Sequence, residues 1–151
     1  VSVVHVDKDI AGRRLTITAQ FDAPVERVWQ LWADPRLLEQ WWGPPTHPIT
    51  VLAHDLRPGG KVSYVAVGPN GEQTPGSWDV REVDPPHHLV FDLGNVATSA
   101  VATTVSILPH GTQTRVLITA SFDSVGAMDL LLGLGFDLGM RTAVEQLAAL
   151  L

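Results

Sequence analysis

The chain of 151 residues contains no cysteine. Disulfides, thiolate metal sites and a cysteine nucleophile are excluded together. Charge is scarce as well. Charged residues make up 17% of the chain, against about a quarter in ordinary globular proteins. Ten Lys and Arg stand against 16 Asp and Glu, a net charge of −6. No run of Lys or Arg occurs, so no nucleic-acid partner is expected. The longest apolar stretch, near Leu130 to Leu138, is too short and too interrupted for a membrane span. The opening Val1-Ser2-Val3-Val4-His5 lacks the basic and apolar segments of an export signal, so a cytoplasmic protein is expected. There is no HExxH, GxSxG or Walker sequence, and the glycine pairs lack the strand-to-helix setting of a phosphate loop. No metal and no cofactor is therefore expected.

Hydrophobic residues make up 45% of the chain, which excludes disorder. The length suits a single domain over residues 1–151, with its core between about 14 and 150. Leu15, Ile17, Ala19 and Phe21 alternate with polar residues, as in a half-buried strand. After Asp22-Ala23-Pro24, the residues Val25, Val28, Trp29 and Trp32 fall on one helical face. Asp34-Pro35 starts a second helix, with Leu37, Leu38, Trp41 and Trp42 on its apolar side, and Gly43-Pro44-Pro45 ends it.

Six strands follow, separated by turns: 50–56, 61–67, 77–83, 89–93, 101–108 and 114–122. Asn70-Gly71 and Pro109-His110-Gly111-Thr112 read as hairpin turns. From Ser124 or Val125 the pattern is helical to the end, with a stripe through Phe136, Met140, Ala143, Val144, Leu147 and Leu151. Gly126, Gly133, Gly135 and Gly139 interrupt it. Two readings stand: a break near Gly133 that makes two helices, or glycines that keep the helix thin beside a cavity. The sum is an α+β fold of seven strands, with the sheet and the C-terminal helix burying their apolar faces on each other.

A family resemblance rests on ordered landmarks: Phe21-Asp22-Ala23-Pro24, Val28-Trp29, Trp41-Trp42-Gly43-Pro44, Asp55-Leu56-Arg57-Pro58-Gly59-Gly60 and Val83-Asp84-Pro85-Pro86. Together they resemble the activator-of-heat-shock-protein-90-ATPase-like family, within the START-like, Bet v 1-like (SRPBCC) superfamily. The resemblance covers about residues 14–150. It implies a helix-grip fold, a curved antiparallel sheet wrapped around a long C-terminal helix with two short helices between strands 1 and 2. It also implies a binding cavity. Family members commonly carry Gly-Trp where this chain has Gly139-Met140, so the interior here is expected to be roomier or differently shaped.

Strand alternation gives the candidate lining. Leu52, His54 and Leu56 share one face of their strand, although Ile49, Val51 and Ala53 allow the opposite register. Tyr64, Trp78 and Phe91 continue the inner face, and Trp32, Trp42, Phe136 and Met140 approach it from the helices. These nine, Trp32, Trp42, Leu52, His54, Tyr64, Trp78, Phe91, Phe136 and Met140, are the candidate ligand-binding residues, with Trp42 at the mouth. The tryptophans serve equally as core packing. His54 and Tyr64 are the candidate catalytic pair. The alternatives are a histidine satisfied by Asp55, by backbone or by solvent, and a tyrosine that is a core aromatic with its hydroxyl at the rim.

Three functions follow. The first is binding of a small apolar or aromatic molecule. The second is a cyclase- or dehydratase-like enzyme using His54 and Tyr64. The third is a protein-interaction domain modulating a chaperone ATPase. Apolar residues outside the inner face, such as Leu117, suggest a homodimer.

Overall fold

The computed structural model describes residues 3–94, 96 and 99–151. Its elements, in order, are β1 (Val3–Asp9), β2 (Arg14–Phe21), α1 (Val25–Ala33), α2 (Pro35–Leu38), β3 (Ile49–His54), β4 (Lys61–Val67), β5 (Gln73–Asp84), β6 (His88–Gly94), β7 (Val101–His110), β8 (Gln113–Ser121), α3 (Val125–Gly133) and α4 (Phe136–Ala149). The strands form one antiparallel sheet in the order β1-β2-β8-β7-β6-β5-β4-β3. The two short helices carry the chain from β2 to the far edge, where β3 lies.

The sheet has eight described strands rather than the expected seven. The added one, β1, pairs with β2 from Val3↔Gln20 to Asp9↔Arg14. Val4 and Val6 pack on the core, and the strand also carries His5 and the charged Asp7, Lys8 and Asp9. Charge on an edge strand discourages pairing with another chain, and it also hides the strand from an apolar-alternation test.

One sheet face is dry. Leu15, Ile17 and Phe21 of β2, Val105 and Ile107 of β7, and Leu89 and Phe91 of β6 are almost fully buried. Each such side chain stabilises the fold by about 1.5–3 kcal/mol relative to exposure. The helices cover this face with Val28 and Trp32 of α1, Met128 and Leu131 of α3, and Met140, Val144 and Leu147 of α4.

Helix ends follow the sequence closely. The Asp34 carboxylate accepts from the Arg36 amide at 2.8 Å, with Pro35 in the first helical turn. The Ser124 hydroxyl oxygen accepts from the Ala127 amide at 3.0 Å and so starts α3. The C-terminal helical region is two helices. Gly135 adopts a left-handed conformation, φ +87°, which an L side chain resists, and the chain turns there before α4 begins.

β3 corrects one residue. A bulge between Val51 and Ala53 inserts an extra position against β4. Ile49 and Val51 point inward, Leu52 is turned out and 69% exposed, and His54 comes back opposite the buried Val62. Of the two registers the alternation allows, the one with Ile49 and Val51 inward holds, and the bulge separates His54 from the face of Leu52.

Candidate functional site

β5 has twelve residues, but β6 pairs with it only from Ser77↔Gly94 to Asp84↔His88. Gln73–Gly76 continue alongside β4 alone among the described pairings. The first turns of α4 face this part of the sheet. A pocket of about 280 Å³ opens there. From the sheet it is lined by Tyr64, Ala66, Thr74, Pro75, Gly76, Leu93, Gly94 and Val96. Trp42 and Pro44 line it from the turn after α2, and Phe136, Gly139, Met140 and Ala143 from α4. It is an open pocket rather than an enclosed chamber. No His, Asp, Glu, Lys or Arg is among these lining residues.

The tryptophans hold this wall in place. The Trp41 indole N–H donates to the Leu31 carbonyl at 2.8 Å, which pins the turn after α2 against α1. Gln146 of α4 donates to the carbonyls of Trp41 (3.0 Å) and Gly43 (2.8 Å), tying the same turn to the helix. Trp42 is thereby aimed at the pocket. Behind it, Trp78 meets Trp42 edge-on at 4.9 Å and stacks on Phe91 at 4.2 Å. Trp32 meets Trp41 edge-on at 4.6 Å. Such pairs add about 0.5–1.5 kcal/mol each beyond area burial.

Tyr64 stands opposite Gly76 in the β4–β5 ladder, and its ring lies over that glycine. A Cβ at Gly76 would fall 2.2 Å from Tyr64 Cε2 and 2.7 Å from the hydroxyl oxygen. Burial pushes the Tyr64 phenol up from its ordinary value near 10, and the neighbouring Trp42 and Trp78 indoles offset this only in part. The Trp78 N–H, though close enough to act on the phenol electrostatically, makes no hydrogen bond of normal geometry, and neither does that of Trp32.

The candidate residues thus divide. Trp42, Tyr64, Phe136 and Met140 lie on the pocket. Trp32, Trp78 and Phe91 are buried and form its backing rather than its surface. Leu52 faces outward, in the register that the buried Ile49 and Val51 set. His54 is on the inner side, but its Nε2 lies 3.1 Å from the Trp32 carbonyl at the end of α1. A carbonyl only accepts, so this nitrogen carries the hydrogen. The Nε2 of His54 is held by backbone and His54 is not among the lining residues, so the structure does not bring His54 and Tyr64 together on the pocket. Ten of the 14 lining residues were not among the nine candidates, Thr74, Pro75, Gly76 and Gly94 with them. Pro75 and Gly76 look like turn residues, and only the β4–β5 register shows that they belong to a strand.

An antiparallel sheet gripping a C-terminal helix, with a pocket at their junction, defines the helix-grip class. The sequence signature described as Activator of Hsp90 ATPase homolog 1-like protein matches residues 22–151, and the chain belongs to that family. Among solved structures it is similar to protein Ms6760 from Mycobacterium smegmatis, at 40% identity and a TM-score of 0.89, covering 99% of this chain and 97% of that one. It is also similar to a protein from Arthrobacter aurescens, at 41% identity and a TM-score of 0.91, covering 97% and 90%. A protein from Rhodobacter sphaeroides shares the fold at 22% identity and a TM-score of 0.87, covering 98% and 97%. No curated protein matches the chain. Among the described residues no helix is long and apolar enough to cross a membrane.

Proposed function

We propose that the protein binds a small apolar or aromatic molecule in the pocket between β4, β5 and α4. The observation that carries this reading is the lining itself: aromatic and aliphatic walls around a few hydroxyl and indole groups, without a charged side chain. The one titratable group among the described lining residues is Tyr64, whose phenol burial pushes up from its ordinary value. With no second acid or base among the described lining residues, binding accounts for the site better than proton-transfer catalysis.

A native mass-spectrometry screen of small aromatic and aliphatic compounds, cross-checked by thermal shift, tests the proposal. Retained adducts are expected in the wild type. A Gly139→Leu variant, whose new side chain enters the open space beside α4, should fold and lose them. Adducts that survive this substitution would place binding elsewhere.

A second reading draws on the exposed leucines Leu130, Leu134 and Leu138, spaced four apart across the α3–α4 junction, and on the family's description. It is contact with a chaperone ATPase. An unchanged ATPase rate of an Hsp90-type chaperone on addition of the protein would retire it.

A further inference from the structure

Three glycines, Gly76, Gly94 and Gly139, are among the described lining residues. Neighbours explain the first two. A Cβ at Gly76 would fall on the Tyr64 ring, and one at Gly94 would lie 2.8 Å from the Ser77 hydroxyl oxygen. Gly139 has no such neighbour. Apart from its own helix backbone, no described atom lies within 4 Å of the place its Cβ would take. Its conformation does not ask for glycine either: it sits inside α4, and its N–H donates to the Gly135 carbonyl at 2.9 Å. Glycine inside a helix is less stable than alanine. The chain therefore carries a destabilising residue here that neither packing nor backbone geometry requires.

That residue makes a notch in the helix. Phe136 and Met140 flank it, the small Ala143 lies one turn further on, and all three line the pocket. Phe136 is held by an edge-on contact with Phe122, ring centres 5.5 Å apart. Between these side chains the pocket reaches the α4 backbone itself. No charged side chain is among the described lining residues, and Asn95, Ala97 and Thr98, on either side of Val96 in the chain, add none. A charged molecule would lie there without a counter-charge, at a large desolvation cost.

Resting on the binding reading above, we infer that Gly139 determines which molecules the pocket accepts: an uncharged fused-ring molecule lies in the notch against the α4 backbone, and a side chain at that position excludes it by size. The aromatic walls of Trp42, Tyr64 and Phe136 suit the faces and edges of such rings. Stability and binding then make opposite demands on one residue.

Two uncharged fluorescent probes, 2-naphthol and the broader 9-phenanthrol, are titrated into the wild type, Gly139→Ala and Gly133→Ala. The last is a control, because a Cβ at Gly133 also meets no described atom but Gly133 is not among the lining residues. The wild type should bind 9-phenanthrol more tightly than 2-naphthol. Gly139→Ala should weaken 9-phenanthrol about 5- to 100-fold, as for a methyl forced into filled space, and 2-naphthol by less than about 3-fold. Gly133→Ala should change neither. Urea denaturation should show both variants at least as stable as the wild type, so that lost binding is not lost folding. In the 9-phenanthrol complex, nuclear Overhauser contacts should join the ring protons to the Gly139 Cα protons. The anion phenanthrene-9-carboxylate should bind the wild type more weakly than 9-phenanthrol, and the reverse order would overturn the uncharged class. Unchanged 9-phenanthrol binding in Gly139→Ala, equal losses for both probes, or a bound probe without those contacts would overturn the role of Gly139 and leave the pocket a binding site. Binding of neither probe to the wild type would overturn this inference and count against the binding reading itself.

Discussion

At the scale of single residues, two glycines on the pocket face opposite conditions. Gly139 sits in the second turn of α4, and a Cβ there meets nothing within 4 Å. Gly76 sits under the Tyr64 ring, and a Cβ there meets Cε2 at 2.2 Å. The same substitution should therefore have opposite signs. Gly139→Ala should raise the unfolding free energy by about 0.5–1 kcal/mol, the helix-propensity difference. Gly76→Ala should lower it by about 1–3 kcal/mol, the usual cost of overpacking. Urea denaturation of both variants checks the pair. The sequence marked Gly139 as anomalous because glycine inside a helix is costly. It could not mark Gly76, because the reason for that glycine is a tyrosine on the neighbouring strand.

Among the elements, the C-terminal helices and β3 show where local pattern suffices and where it fails. The apolar stripe from Phe136 to Leu147 is a property of α4 alone, and it was readable from spacing. The break before it was one of two readings, and Gly135 decides between them with its left-handed backbone. Nothing lies within 4 Å of a Cβ built there, so a Gly135→Ala change should cost only the backbone penalty, about 1–2 kcal/mol. Thermal melts should show that loss, and the circular-dichroism helix signal should be retained. β3 is the contrary case. A bulge changes which face each later residue takes, and it forms against a partner strand that the residues of β3 do not name. His54 comes to the inner side for that reason, while Leu52 points out simply because Val51 before it points in.

Across the molecule, β1 and α4 are joined by an ion pair, Lys8 Nζ to Asp137 at 2.8 Å. The Lys8 hydrogen bond is the main cause holding the Asp137 carboxyl below its ordinary value of 3.8, with burial opposing it. A carboxyl whose pKa is lower folded than unfolded contributes stability that is fully present above its unfolded value. That contribution is lost as pH falls through the folded value. The effect is small, because the Lys8 side chain is 45% exposed. A Lys8→Met variant should lose a little stability at neutral pH, and the difference from wild type should shrink below about pH 4. Urea midpoints measured from pH 7 to pH 3 would show this convergence.

The sequence by itself determined the α+β class, the order of the elements apart from β1 and the division of the C-terminal helical region, the helix start at Asp34, and the family. These rest on period, on turn residues and on contiguous motifs, all of which act over a few neighbouring positions. The tertiary structure alone decided the extra edge strand, the register and bulge that place Leu52 outside and His54 inside, and the place of the pocket between β4, β5 and α4. Those depend on strand register and on the length of one strand relative to another. Each is a relation between segments distant in the chain, fixed only when their faces are packed together.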